Sequence, residues 1–174
     1  MPTGVTTICE SAFEANKTLA SVTIPKTVTQ IYKWAFAYSN IVNLNCYGNL
    51  KFIGMFCFTS ANDLESAIFH GVVKVVNKEA FRFCENLNTV KFKKGNLKTL
   101  SKRAFSGCKK LKNFTISNTK NTPGMAGSVF SYVPKTQIKF YVKSNTFAKK
   151  LNAKLKKIGI KSPKIYIVKT VKYS

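Results

Sequence analysis

Acidic residues are scarce in this chain of 174 residues: six, against 29 lysines and arginines, and none lies beyond Glu85. Histidine occurs once, as His70, and arginine twice, as Arg82 and Arg103. So little acid and imidazole excludes most catalytic constellations. A Ser-His-Asp or Cys-His arrangement would have to use His70, and no G-x-S-x-G or G-x-x-x-x-G-K-[ST] occurs. Asp63/Glu65 and Glu10/Glu14 read as solvated surface groups, so no enzyme and no cofactor is expected. A zinc site would need close ligand pairs and more than one histidine, and none is expected. The shortage of arginine argues against sequence-specific DNA reading, which relies on the bidentate guanidinium fork. No apolar run reaches the roughly 18 residues of a membrane span, and the first residues lack the basic start, apolar middle and small-residue cleavage site of a signal peptide.

What is abundant is lysine. Residues 1–85 carry seven cations and six acids, a net of +1. Residues 86–174 carry 22 cations and no acid, a net of +22. Such asymmetry points to an anionic partner for the second half, or to a merely solvated basic face. Lysine supplies point-charge attraction with little readout, so polyanion binding of this origin should be non-specific and lost with salt.

The phenylalanines set a register. Phe13, Phe36, Phe58, Phe81, Phe105 and Phe130 are spaced by 23, 22, 23, 24 and 25 residues. Each follows a small or modest residue: Ala12, Ala35, Cys57, Ala80, Ala104 and Val129. Five positions upstream of each lie Ile8, Ile31, Ile53, Val76, Leu100 and Met125. Downstream come the alternating pairs Val22/Ile24, Leu44/Cys46, Ala67/Phe69, Val90/Phe92, Phe114/Ile116 and Ile138/Phe140. One unit reads V-x-x-I-x-x-x-A-F-x(5)-L-x-x-V-x-I, in six copies. The V-x-I pair has the period of a strand with one buried face. The A-F segment reads as a compact turn or a single helical turn that drives Phe inward. No unit can bury its own apolar side, whereas stacked units share a continuous core. The expected fold is therefore an α/β repeat solenoid: a leucine-rich-repeat-like stack of about six units with short strands and short helical turns.

The pattern resembles the BspA-type leucine-rich repeat, of consensus I-x-x-x-A-F-x-x-C-x-x-L-x-x-V-x-I-P. Here it runs from Ile8-Cys9-Glu10-Ser11-Ala12-Phe13 to Leu19-Ala20-Ser21-Val22-Thr23-Ile24-Pro25, and the resemblance covers about residues 4–142. It implies a cell-surface or secreted protein that adheres to host matrix proteins or to other cells. The units depart from the consensus. The cysteine position holds Asn16, Ser39, Ala61, Cys84 and Cys108, and the proline after the strand survives only as Pro25.

Residues 1–142 are expected to form the solenoid and residues 143–174 a cap within the same domain. Ser144 can cap a helix whose apolar stripe is Phe147, Leu151, Leu155 and Ile158, stopped by Gly159. Ile165-Tyr166-Ile167-Val168 reads as a last strand. A basic amphipathic helix could instead lie on a membrane surface, but its stripe is better used against the last repeat. At the other end the chain begins midway through a unit, at Val5-x-x-Ile8, without a polar cap. A piece of a longer protein is expected on that ground.

The five cysteines contain no C-x-x-C. Cys46, Cys84 and Cys108 fall on core positions and Cys57 replaces the small residue before Phe, so buried free thiols are expected. Cys84 and Cys108 hold equivalent places in neighbouring units, which leaves a disulfide between them open. The sequons Asn16-Lys17-Thr18 and Asn113-Phe114-Thr115 are too short to weigh much, and Asn113 falls on a strand.

The outward residues of the strands form three rows. The middle row is Thr23, Asn45, Ile68, Lys91, Thr115 and Lys139; the preceding row is Ser21, Asn43, Ser66, Thr89, Asn113 and Gln137; the following row is Pro25, Tyr47, His70, Lys93, Ser117 and Tyr141. An extended, rigid array of independently variable side chains suits ligand binding. Tyr47, His70, Lys91, Lys93, Lys139 and Tyr141 are the candidate binding residues, and no metal site is among them. The expected role is a monomeric, non-enzymatic adhesion module for a protein or glycan, such as host extracellular matrix. The alternatives are non-specific attachment of wall polymer, acidic glycan or nucleic acid to residues 86–174, or a plain structural spacer.

Overall fold

The computed structural model describes residues 4–118, 121–134 and 137–168. The chain winds into a β-solenoid of about seven turns, and every strand pairing is parallel. Each of the first six turns contributes a two-residue strand to one sheet and a four-residue strand to another, and the last contributes a helix and a four-residue strand. The short sheet contains β1 (Thr7–Ile8), β3 (Gln30–Ile31), β5 (Phe52–Ile53), β7 (Val75–Val76), β9 (Thr99–Leu100) and β11 (Gly124–Met125), in that order. The long sheet contains β2 (Ser21–Ile24), β4 (Asn43–Cys46), β6 (Ser66–Phe69), β8 (Thr89–Phe92), β10 (Asn113–Ile116), β12 (Lys139–Val142) and β13 (Lys164–Ile167), again in chain order.

The V-x-I pairs behave as their period requires. Along β2, β4, β6, β8, β10 and β12 the second and fourth residues are buried and the first and third face outward. Inside, the phenylalanines that define the repeat stack ring on ring. Phe13, Phe36, Phe58, Phe81 and Phe105 follow one another at centroid distances of 5.1, 5.1, 4.9 and 5.1 Å, with planes within 7°. That spacing is close to the roughly 4.8 Å between paired strands. The sheet ladder and the ring column therefore share one rise per turn.

The A-F segments are turns, which corrects the expected short helical turns. Among the described residues the sole α-helix is α1 (Asn145–Lys157), so the α/β label overstates the helix content. The backbone takes left-handed φ two residues before Phe, at Ser11, Trp34, Phe56, Glu79 and Arg103, and two residues after it, at Ala15, Tyr38, Ser60, Phe83, Gly107 and Tyr132. Reversal of φ at such short intervals prevents the uniform dihedrals a helix needs. It also turns N–H groups along the stack. Phe13, Phe36, Phe58, Phe81 and Phe105 donate to the carbonyls of Ala35, Cys57, Ala80, Ala104 and Val129 at 2.7–3.0 Å. The turns thus form a third hydrogen-bonded ladder alongside the two sheets, and few buried backbone groups are left for helix formation to satisfy.

Close approach of successive turns requires glycine at several positions, of which Gly71 and Gly107 are two. A Cβ on Gly71 would meet the carbonyl of Gly48, and one on Gly107, whose φ is +75°, would meet the ring of Phe83. At the C-terminal end, Ser144 accepts a hydrogen bond from the N–H of Phe147, and α1 buries Phe147, Leu151 and Leu155. Its last turn carries Lys154, Lys156 and Lys157, favourable at a helix C-terminus. β13 then pairs with β12 over Lys164–Ile167 and leaves Tyr166, Ile167 and Val168 exposed.

Candidate functional site

The outer side of the long sheet is the best-organised surface of the molecule, because strand register aligns its side chains in straight rows. Ser21, Asn43, Ser66, Thr89, Asn113, Lys139 and Lys164 share one row, and Thr23, Asn45, Ile68, Lys91, Thr115, Tyr141 and Tyr166 the next. This corrects the sequence register at one strand. Phe140 lies opposite Phe114, so Phe140/Val142 is the inward pair on β12 rather than Ile138/Phe140. Lys139 moves out of the row of Lys91, and Tyr141 moves into it. Lys143, which sequence reasoning missed, thereby takes the position that follows Lys93 and Ser117. The cause is the long sixth unit, in which both pairs alternate correctly and spacing alone cannot choose between them.

With that register, side-chain length creates a trough. β10 and the residue after it present Asn113, Thr115 and Ser117, all short. The flanking strands present Lys91 and Lys93 on the β8 side and Tyr141 and Lys143 on the β12 side. The result is a cleft of about 420 Å³, also lined by Thr89, Val142 and Val168. Its size is within the range of small-molecule sites. The Tyr141 hydroxyl donates to Asn113 Oδ1 at 3.2 Å, and its ring stacks on Tyr166 at 5.5 Å. Tyr141 is therefore fixed in place between Asn113 on β10 and Tyr166 on β13.

Three of the candidate residues, Lys91, Lys93 and Tyr141, meet in this cleft. Tyr47 and His70 do not. They stack on each other at 4.2 Å two turns away, with His70 Nε2 3.3 Å from Asn45 Oδ1. Desolvation first, and the charge of Lys93 second, hold the His70 imidazole below its ordinary pKa. Lys139 stands apart, exposed and in register with Lys164 on β13.

The remaining polar groups have structural employment. The carboxylate of Glu79 is buried, and Arg82 Nη1 at 2.8 Å, Arg103 Nη1 at 3.7 Å and Lys78 Nζ at 3.9 Å surround it. Both arginines of the chain thus converge on one buried acid. Cys46, Cys57, Cys84 and Cys108 are buried free thiols and Cys9 is exposed. The Cys84 and Cys108 thiols donate to the carbonyls of Phe58 and Phe81 at 2.9 and 3.1 Å. Burial pushes the Cys46 thiol up to about 12 and raises Cys57, Cys84 and Cys108 as well. Such thiols are inert at neutral pH. Among the described residues no group of three His, Cys, Asp or Glu is placed to hold a metal, and no helix is long and apolar enough to cross a membrane.

Comparison with known families agrees with this geometry. The family described as "BspA type Leucine rich repeat region (6 copies)" matches residues 1–112 and 51–171. The chain belongs to the BspA-type leucine-rich repeat family. Searches of curated proteins and of solved structures returned no match. BspA-type repeat proteins are generally surface-associated. Leucine-rich repeat solenoids typically serve as non-enzymatic scaffolds for protein interaction, in keeping with a rigid stack that varies only its outward side chains.

Proposed function

We propose that this BspA-type repeat stack is a non-enzymatic recognition module of a cell-surface or secreted protein, and that it adheres to ligands on host or neighbouring cells through the outer side of the long sheet. The observation that carries this reading is the cleft over β10. It is a concave, partly apolar site with convergent polar groups. The sheet fixes where each side chain leaves the backbone, and the hydrogen bond and ring stack of Tyr141 fix that residue, so this part of the site is preorganised. Residues 143–174 complete the module as a cap over the last repeat, and the module acts as a monomer.

The test is binding of the chain to immobilised matrix proteins, heparin and DNA across a salt series. Lys91, Lys93 and Lys139 are each replaced by Glu in a parallel sample. Selective binding to one ligand that persists at about 0.15 M salt and is lost in the charge-reversed variant supports recognition by the strand face. A second reading has its own observation: residues 86–174 carry a net charge of +22. It makes the basic half an anchor for any polyanion, and predicts equal binding to heparin and DNA that disappears as salt rises.

A further inference from the structure

The cleft over β10 narrows the ligand to a chemical class. We infer that it receives a carboxylate-bearing sugar residue of an acidic glycan. The inference rests on the reading of the long sheet as the recognition surface.

Three features of the cleft act together. The first is charge. Lys91, Lys93 and Lys143 bring three ammonium groups to its rim, and no acid lines it. An anion in the cleft gains charge-assisted hydrogen bonds and relieves the mutual repulsion of the lysines. The second is width. The walls stand on β8 and β12, two strand spacings or roughly 9.6 Å apart. A six-membered sugar ring with its substituents can lie across β10 between them, in contact with both walls. The third is the mixture of surfaces. Thr115 and Ser117 on the floor offer hydroxyl groups at the spacing of alternate residues, suited to a ring bearing several hydroxyls. Tyr166 covers one face of the Tyr141 ring, so the other face borders the trough and offers an aromatic surface to sugar C–H bonds. A sugar acid presents an apolar C–H face, hydroxyls and one carboxylate on one rigid ring. Inorganic phosphate lacks the apolar face, and a neutral sugar leaves the ammonium groups unpaired.

The test uses calorimetric titration of the whole chain with a hyaluronan tetrasaccharide, which carries glucuronate and no sulfate, at about 0.15 M salt. Neutral chitotetraose and polyglutamate are titrated beside it. The decisive variant is Thr115→Tyr. It fills the trough without altering charge and extends the Tyr141–Tyr166 row, so the strand should accept it. Lys143→Gln provides a second variant that leaves the floor intact, and Lys154→Gln on α1 provides an equal change of charge elsewhere.

The expected result is binding of the glucuronate tetrasaccharide at least tenfold tighter than chitotetraose, weakened about tenfold or more by Thr115→Tyr and by Lys143→Gln, and unchanged by Lys154→Gln. Equal affinity for chitotetraose overturns the proposal, as does wild-type affinity in Lys143→Gln. Binding of polyglutamate as tight as the tetrasaccharide and equally sensitive to Thr115→Tyr overturns it in favour of an acidic peptide. Absence of tetrasaccharide binding, with matrix-protein binding still sensitive to Lys91 and Lys93, sinks the sugar inference and leaves the strand-face reading standing. Loss of both sinks the two together.

Discussion

The outer side of the long sheet divides into two regions built on one backbone. Over β2, β4 and β6 it presents serine, threonine, asparagine and Ile68, with the Tyr47–His70 stack and a polar cleft of about 360 Å³ beside Asn43, Ser66 and Thr89. Over β8, β10, β12 and β13 it presents lysine and tyrosine around a trough. Strand pairing and turn hydrogen bonds pass through both regions, while the ring column, tight from Phe13 to Phe105, loosens to 6.0 Å and 20° at Phe130. The difference lies in the outward side chains, whose contacts between turns add to a stack that the inward residues define. In a solenoid the inward positions set the fold and the outward positions are free to set recognition, so two regions on one backbone can present different chemistry.

The largest effect should come from breaking what the regions share. Phe81 is fully buried and stacks on Phe58 and Phe105. Phe81→Ala should cost about 3–5 kcal/mol in denaturant unfolding. Phe13→Ala, at a partly buried ring with one stacking neighbour, should cost clearly less. Equal costs would mean that the column does not act as a shared core. Gly71→Ala should follow, at about 1–3 kcal/mol, because its methyl group must displace the backbone of Gly48. Thiol titration of the native protein with an aromatic disulfide should find Cys9 reactive and Cys46, Cys57, Cys84 and Cys108 protected until unfolding, alike in both regions. Prompt reaction of a second thiol would show that the stack opens locally.

The smaller effects separate the regions. Replacing Tyr47 and His70 together by Ala should change ligand binding by less than about twofold, since neither lines the cleft. His70 also makes a weak contribution to the pH dependence of stability. Its pKa is lowered in the folded state, so the unfolded chain binds more protons as pH falls through about 6.5. Stability from the neutral ring is therefore present above that pH and lost as pH falls through the folded value. His70→Gln should flatten this slope. An unchanged slope would assign it to other groups.

Much of this architecture was legible in the chain. The phenylalanine spacing and the alternating pairs located β2, β4, β6, β8 and β10, because a strand with one buried face leaves period two in any sequence. The turns were harder. Ala-Phe flanked by polar residues is compatible with a helical turn, and left-handed φ at bulky residues such as Trp34 and Phe56 leaves no compositional trace. The candidate site was legible in half. Lys91 and Lys93 were legible from their rows, whereas Tyr141 was assigned to the row of Lys93, and Lys143 depended on a register that the long sixth unit left ambiguous. The trough itself was hidden, because it arises from the contrast between short residues on β10 and long ones beside it. That contrast appears only once the strands are aligned. Glu79 was equally hidden, since nothing local in the sequence says that Arg82 and Arg103 converge on it.

Position, rather than net charge, should make the basic region a binding surface. The most direct measurement compares two variants of equal charge for binding to the preferred ligand at about 0.15 M salt. One carries Gln at Lys91, Lys93 and Lys143 around the cleft. The other carries Gln at Lys149, Lys154 and Lys157 on α1. Loss of binding in the first, with wild-type binding in the second, is the predicted result. Equal loss in both would contradict it and leave the charge as a generic anchor.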